Sequence, residues 1–204
     1  MMQLPDFYAN VQRLRVRDPL AEFLGAAEGG VLEYGYEDAV RLAGHSCPTV
    51  GCAYVLTCHA LGALYPDSLP ERGGVAVSFR NPLEEGVTGV VASVVTLMTG
   101  AAGPGGFKGL AGRFVRRDRL RFGAEVPLAM RFERLDTGLA VDAEAEPGRV
   151  PADPEMSTLL PRCVQGQASP EERRRFGVLW QERVARIVVD HGRDAEVFRI
   201  QPVG

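Results

Sequence analysis

The longest apolar stretch of the chain runs from Thr49 to Leu64 and carries hydrophobic residues on nearly every side of a helix. A surface helix has one apolar stripe, whereas a helix that is apolar all round is buried. The pattern therefore predicts a central buried helix. A shorter helix is predicted over 35–42, ending at Gly44, because glycine is favoured just past a helix C-terminus.

Periodicity leaves the structure of Val87 to Met98 open. The segment is rich in β-branched residues, which favour a strand, but its length and continuity suit a buried helix. Strands are predicted where short runs of strand-forming residues are bounded by turn residues. These runs are 74–79, 113–116, 120–122, 126–133 and 139–144, and the last four are predicted to be antiparallel, with the turn signal Asp136-Thr137-Gly138 before the final run.

Both ends of the chain are predicted to be appendages of one main domain. Residues 4–27 are interpreted as two short helices separated near Asp18 and Pro19, which would cap and begin the second helix. A shift to proline-rich sequence at 146–154 marks the end of the main domain. The predicted organisation is an N-terminal helical arm (1–30), an α+β domain (31–146) and a C-terminal unit of linker, amphipathic helix and terminal strand (147–204).

The C-terminal helix is predicted from the capping box at 169–172 and from one apolar stripe behind it. Such a helix needs a surface to pack on, which is either the main domain or a second subunit. The second choice would give a homodimer. The stripe consists of Phe176, Leu179, Trp180, Val184, Ile187 and Val188.

Composition narrows the class of protein. The chain has 204 residues, 46% of them hydrophobic, which is enough for one substantial core. Its formal net charge of −3 offers no basic surplus for phosphates, which argues against nucleic-acid binding. No apolar run approaches a membrane span, and the cysteines suggest reduced thiols rather than a disulfide scaffold. We therefore expect a cytoplasmic protein whose partner is a small molecule or a metal ion.

The segment Gly44-His45-Ser46-Cys47-Pro48 is the strongest candidate for chemistry. The glycine ends one helix and the proline begins the next, so His45 and Cys47 should lie close together at a helix N-terminus. Imidazole and thiolate together suit a transition metal, with zinc the first candidate, and Cys52 one turn further along would be a third ligand. Cys47 is also a candidate nucleophile, because the helix dipole favours its thiolate. The alternative is a capping turn with a buried, inert thiol.

A second candidate is the glycine-rich loop at 99–109, which contains the only lysine of the chain, Lys108. Backbone N–H groups of such a loop can bind an anion, and Lys108 would supply charge. We expect Thr99, Gly100, Gly105 and Gly106 to contact a ligand there and Lys108 to face the same cavity as Cys47. The alternatives are a flexible turn and a lysine retained by chance in an arginine-rich chain.

Taken in order, these motifs resemble the E-subunit family of formylmethanofuran dehydrogenase. Members of that family show a Gly-His-x-Cys-Pro segment at the start of an apolar helix, then Thr-Gly-Cys, a Gly-Lys-Gly loop and β-strands. The similar elements here are 44–48, Thr99-Gly100 and Phe107-Lys108-Gly109, and the resemblance covers roughly 30–145. It implies an α+β fold with a central helix on a mixed, mostly antiparallel sheet, a dimer, and a helical Val87–Met98.

The chain departs from the family at one position that matters for chemistry. Ala101 and Ala102 stand where the family has cysteine after Thr-Gly, so a ligand or nucleophile is missing. The resemblance implies a protein that binds a metal or a small ligand between the Gly44–Pro48 turn and the glycine-rich loop, and that could be a metal-dependent enzyme. The alternatives are a non-catalytic accessory or sensor protein and a degenerate structural homologue.

Overall fold

The computed structural model describes residues 4–204 and has an α+β architecture, as predicted. Its main sheet has the strand order β4-β3-β5-β6-β7, formed by Leu120–Arg121, Val75–Phe79, Met130–Arg134, Ala140–Ala145 and Phe198–Pro202. Only the β3–β4 pair is parallel, so the sheet is mixed and mostly antiparallel. A second, two-stranded antiparallel sheet joins β1 (Leu14–Arg17) to β2 (Val31–Tyr34).

The helices include the predicted central one. The six α-helices within the described residues are α1 (Pro19–Phe23), α2 (Tyr36–Ala43), α3 (Pro48–Leu64), α4 (Thr88–Thr99), α5 (Met156–Val164) and α6 (Pro170–Ala185). Helix α3 packs on β5, β6 and β7 and is covered by α2, α4 and α6. Its burial on several sides explains why it is apolar all round. None of the helices in 4–204 is long and apolar enough to cross a membrane.

Val87–Met98 is helical, as the resemblance implied, and forms most of α4. Its side chains at Ala92, Val94, Val95 and Met98 are buried in the core around α3. Packing of this kind outweighs β-propensity, which amounts to about 1 kcal/mol across the whole residue scale. Gly100 ends the helix in a left-handed conformation with φ 72°.

The N-terminal arm was predicted wrongly as two helices. Residues 14–17 form β1, preceded by a short 3-10 helix at Asp6–Asn10, and only the second predicted helix, α1, exists. Alternation of buried and exposed residues in Leu-Arg-Val-Arg gives β1 its strand character, and pairing with β2 provides the partner that the local sequence does not reveal. Residues 1–3 of the predicted arm lie outside the described part of the chain.

Two of the strand predictions also need correction. Residues 113–116 form a loop in which Phe114 has a positive φ of 61°, which excludes a regular strand there. The predicted run at 120–122 is reduced to β4, which pairs with β3 in parallel rather than antiparallel. The runs at 74–79, 126–133 and 139–144 overlap β3, β5 and β6, with somewhat different ends.

The C-terminal unit packs within its own chain. Leu179 packs on Met156 and Leu159 of α5, a helix that the sequence analysis missed, while Val184 and Ile187 join the main core. The apolar stripe is therefore covered by the same chain. A second subunit is not needed to bury it, so α6 no longer supports the predicted homodimer.

Candidate functional site

The Gly44–Pro48 turn has the predicted geometry at the start of α3. Gly44 ends α2 with φ 75°, Cys47 is the N-cap of α3 and Pro48 occupies the first helical position. The Cys47 sulfur accepts a hydrogen bond from the Val50 N–H at 3.5 Å. A thiol here satisfies one of the helix's free backbone donors, which is a capping role.

The proposed ligands do not assemble around one point. His45 is exposed, and its Nδ1 lies 3.0 Å from the Ala43 carbonyl oxygen, whereas Cys52 is buried inside α3. Between residues 4 and 204, no three His, Cys, Asp or Glu side chains are grouped as a metal site would require. The three-ligand set of His45, Cys47 and Cys52 is therefore not formed.

The same turn is anchored to α6 through Ser46. Its carbonyl oxygen accepts hydrogen bonds from Trp180 Nε1 at 3.0 Å and from Gln181 Nε2 at 3.2 Å. Its hydroxyl lies 2.9 Å from the Tyr36 hydroxyl in the core. These contacts make the turn the junction between the main domain and the C-terminal unit.

Burial keeps the thiols of α3 protonated. It raises the pKa of Cys52 to about 12, with a further contribution from neighbouring Cys47, and it raises the pKa of Cys58 to about 12. All four cysteines are free, and Cys163 is the only one that is not buried. A protonated, buried thiol is a poor nucleophile.

We therefore predict that iodoacetamide at pH 8 modifies native protein fastest at Cys163. Cys52 and Cys58 should react at a comparable rate only after unfolding, because their thiolates are scarce and shielded. Mass-spectrometric mapping of a time course, with a urea-unfolded sample as the control, measures this order. Fast native alkylation of Cys47 would instead support its role as a nucleophile.

The glycine-rich loop folds against the segment that follows it. Thr99 Oγ1 donates to the Val95 carbonyl at 2.7 Å and accepts from the Ala101 N–H at 3.1 Å, so its hydroxyl is occupied by the end of α4. Gly106 packs so closely on Arg117 that an added Cβ would lie 2.8 Å from the Arg117 Cα. Gly105 and Lys108 are exposed. These residues shape and close the loop rather than line a shared cavity with Cys47.

Lys108 and Cys47 lie at opposite ends of the α3–α4 pair. A cavity of about 230 Å³ is lined by Thr49 and Cys52 from the start of α3 and by Thr88 and Val91 from the start of α4, so both helices begin at this end. The loop that carries Lys108 follows the other end of α4. Neither this cavity nor the one described next is lined by both Cys47 and Lys108. Neither of these two cavities is therefore the expected site between the two motifs.

A larger cavity, of about 570 Å³, lies at the end of α3 where Tyr65 follows the helix. The cavity also includes Gly73 and Gly74 before β3 and Leu135 after β5. Its most distinctive feature is a set of guanidinium groups, and we therefore call it the arginine cavity. They belong to Arg17, Arg72, Arg113, Arg116 and Arg119.

One carboxylate outside the lining holds two arginines of the cavity in place. Asp18 accepts from Arg116 Nη2 at 2.6 Å and from Arg72 Nη1 at 2.9 Å, and it also accepts from the backbone N–H groups of Leu20 and Ala21 as the N-cap of α1. Arg72 is fixed further by donating to the Leu97 carbonyl from Nε and Nη2. Asp18 was predicted as a cap, and this role is confirmed.

These charges shift one another's pKa values. Burial acts to raise the pKa of Asp18, but the hydrogen bond from Arg72 and the charge of Arg116 outweigh it and hold that pKa below its usual value. Burial lowers the pKa of Arg116 despite Asp18, and burial together with the charge of Arg116 lowers the pKa of Arg119. The lowered pKa values of these two arginines therefore reflect first their burial, which disfavours the charged form, and then the neighbouring positive charges.

Arg116 keeps one buried donor without a partner, although Asp18 pairs with the same guanidinium. Only 6% of its surface is exposed, and its Nη1 is buried without a hydrogen-bond partner. The guanidinium passes so close to Gly73 that an added Cβ would lie 1.5 Å from Nη1, and Gly100 lies on its other side. Buried donors are normally satisfied, so this exception calls for an explanation.

The neighbourhood of the cavity carries a surplus of positive charge. Arg17 pairs with Glu22 and Asp136 pairs with Arg134, but Asp18 is shared between two arginines. Arg113 and Arg119 form no ion pair with any residue of 4–204. With Glu71, which also lines the cavity, the lining groups and their direct partners comprise six guanidinium groups and four carboxylates, which leaves a surplus of two positive charges.

Sequence reasoning missed this site for a physical reason. Arg17, Arg72 and Arg116 are far apart in the chain, and each is one arginine among many, so neither spacing nor composition distinguishes them. The usable signals were Gly73 beside Arg72 and the dense arginines of 113–119. Comparison with known proteins does not identify the site either, since no family model and no curated protein matches the chain.

Proposed function

We propose that the chain binds a small anionic molecule in the arginine cavity. The observation that carries the proposal is a set of incompletely paired guanidinium groups at the wall of a cavity of about 570 Å³, where Asp18 is shared by Arg72 and Arg116 and Arg119 forms no ion pair with a described residue. Arginine is suited to anions because its planar guanidinium makes two parallel hydrogen bonds to a carboxylate or phosphate. The proposal concerns binding, and it is compatible both with an enzyme and with an accessory or sensor protein.

Isothermal titration calorimetry with inorganic phosphate tests the proposal. Arg119→Gln should weaken phosphate binding about tenfold, because one charge-assisted hydrogen bond contributes roughly 1.5–3 kcal/mol. Arg174→Gln is the matched control, since Arg174 lies exposed on α6 away from the cavity. Unchanged phosphate affinity in Arg119→Gln would contradict the proposal.

Metal binding at His45 and Cys47 stays a prediction from sequence. An exposed imidazole two residues from a helix-capping thiol is the feature in its favour, and zinc remains the first candidate. Metal analysis of purified protein beside its His45→Ala variant tests it. Equal metal content in the two proteins would remove this hypothesis.

We also propose a family, a location and an oligomeric state for the chain. The helical α4 supports membership of the formylmethanofuran dehydrogenase E-subunit family. The two family motifs, however, do not both line the arginine cavity. Four free cysteines support a cytoplasmic location. The homodimer is tested by light scattering across a wide concentration range, where a constant monomer mass would refute it.

A further inference from the structure

The charge of the arginine cavity indicates the charge of its ligand. A surplus of two positive charges is neutralised by a dianion, whereas a monocarboxylate leaves one charge uncompensated. In a partly buried site this difference is significant, because charge interactions are screened less there than at the surface. A phosphate monoester carries between −1.5 and about −2 at pH 7 and offers three acceptor oxygens.

The size of the cavity indicates that the ligand has an organic part. Pockets for organic ligands measure about 300–1,000 Å³, and the arginine cavity falls within this range. A single inorganic anion would leave most of it to water.

The part of the wall that carries no charge is apolar and partly aromatic. It is formed by Pro19, Tyr65, Phe114, Val115 and Leu135. The Phe114 ring lies 5.3 Å from the Phe23 ring, and the Arg113 guanidinium lies 4.7 Å from the Phe114 centroid. These contacts hold Phe114 at the cavity as a surface for an apolar or aromatic group.

We propose that the ligand is an organic phosphate monoester whose phosphate lies beside Arg116 and Arg119 and whose apolar, aromatic body lies against Phe114. This inference rests on the proposed function, because it specifies the anion bound in the same cavity. The phosphate supplies the two negative charges that the carboxylates around the cavity do not provide. The aromatic body covers the apolar wall, which water would otherwise cover.

Calorimetry with three probes tests the inference on the full chain at pH 7.5. Phenyl phosphate carries both features, inorganic phosphate lacks the body, and benzoate lacks the second charge. We expect phenyl phosphate to bind at least about tenfold more tightly than either other probe, since each feature should contribute more than about 1.4 kcal/mol.

Two variants separate the two halves of the ligand. Phe114→Ala should weaken phenyl phosphate about tenfold and leave inorganic phosphate unchanged, which also reports that the cavity remains folded. Arg119→Gln should weaken both phosphates, and Arg174→Gln should weaken neither.

The outcomes distinguish this inference from the proposed function. If none of the three probes binds, the arginine cavity is not an anion site and the proposed function fails. If benzoate binds as tightly as phenyl phosphate, the proposal that the ligand is a dianion is refuted, while the proposed anion binding is supported. If inorganic phosphate binds as tightly as phenyl phosphate, or if Phe114→Ala weakens both phosphates equally, the proposed aromatic body of the ligand is refuted.

Discussion

Replacing Asp18 with asparagine is expected to lower the free energy of unfolding by about 3 kcal/mol, because removing one partner of a buried ion pair leaves its charge uncompensated. Here two arginines lose the same carboxylate, one of them deeply buried. Asparagine keeps the size of the side chain and its oxygen still caps α1, so the change isolates the charge. Urea unfolding followed by circular dichroism measures the difference.

Asp38→Asn provides the matched control. Asp38 also caps a helix and binds an arginine, but its pair with Arg41 is half-exposed. Surface pairs of this kind contribute about 0–1 kcal/mol. Equal losses in the two variants would show that the Asp18 cluster is no more important than a surface pair.

Acid should lower the free energy of unfolding of the unaltered protein by protonating the same carboxylate. Because the pKa of Asp18 is lowered in the folded state, its contribution is complete above its ordinary value of 3.8 and is lost as the pH falls through the folded value. The stability difference between the unaltered chain and Asp18→Asn should therefore shrink below about pH 4. A difference that stays constant down to pH 2 would contradict this assignment.

Gly73→Ala is expected to be the second strongly destabilising change. Gly73 has φ 88°, where a Cβ is strained by about 1–3 kcal/mol, and the new atom would occupy the position of Arg116 Nη1. The guanidinium must move, which breaks its bond to Asp18. We expect a loss of at least about 3 kcal/mol, since backbone strain and a damaged buried ion pair combine.

Gly44→Ala separates these two causes. Gly44 has a similar φ of 75°, but its added Cβ meets nothing within 4 Å. Gly44→Ala should therefore show the backbone strain alone, in thermal unfolding measured beside Gly73→Ala. If both variants lose the same stability and both keep phosphate affinity, the close approach of Arg116 to Gly73 has no energetic importance.

The elements that were predicted correctly are those with a strong local signal. Helix α3 is apolar all round, α2 ends at Gly44 and α6 begins at a capping box, and each signal lies within a few residues. The first half of the N-terminal arm was predicted wrongly because β1 becomes a strand only through pairing with β2. Helix α4 needed the family resemblance, since its β-branched residues conceal a helix that packing on α3 stabilises.

The candidate site was harder to predict than the fold. The sequence drew attention to His45 and Cys47 as metal-binding residue types at a helix start and to Lys108 as the only lysine, but the structure separates Cys47 from Lys108 and leaves His45 exposed. The arginine cavity consists of common residues from distant segments. Only the tertiary fold shows that Asp18 is shared by Arg72 and Arg116, and this sharing contributes one of the two surplus charges.

The most direct test of anion binding in the arginine cavity is a crystal structure of the protein soaked in tungstate. Tungstate is a tetrahedral dianion like phosphate, and the anomalous scattering of tungsten locates it independently of the protein atoms. We predict an anomalous peak inside the cavity, within hydrogen-bonding distance of Arg116 or Arg119. Ordered tungstate found only elsewhere on the protein, with the cavity empty, would contradict the account.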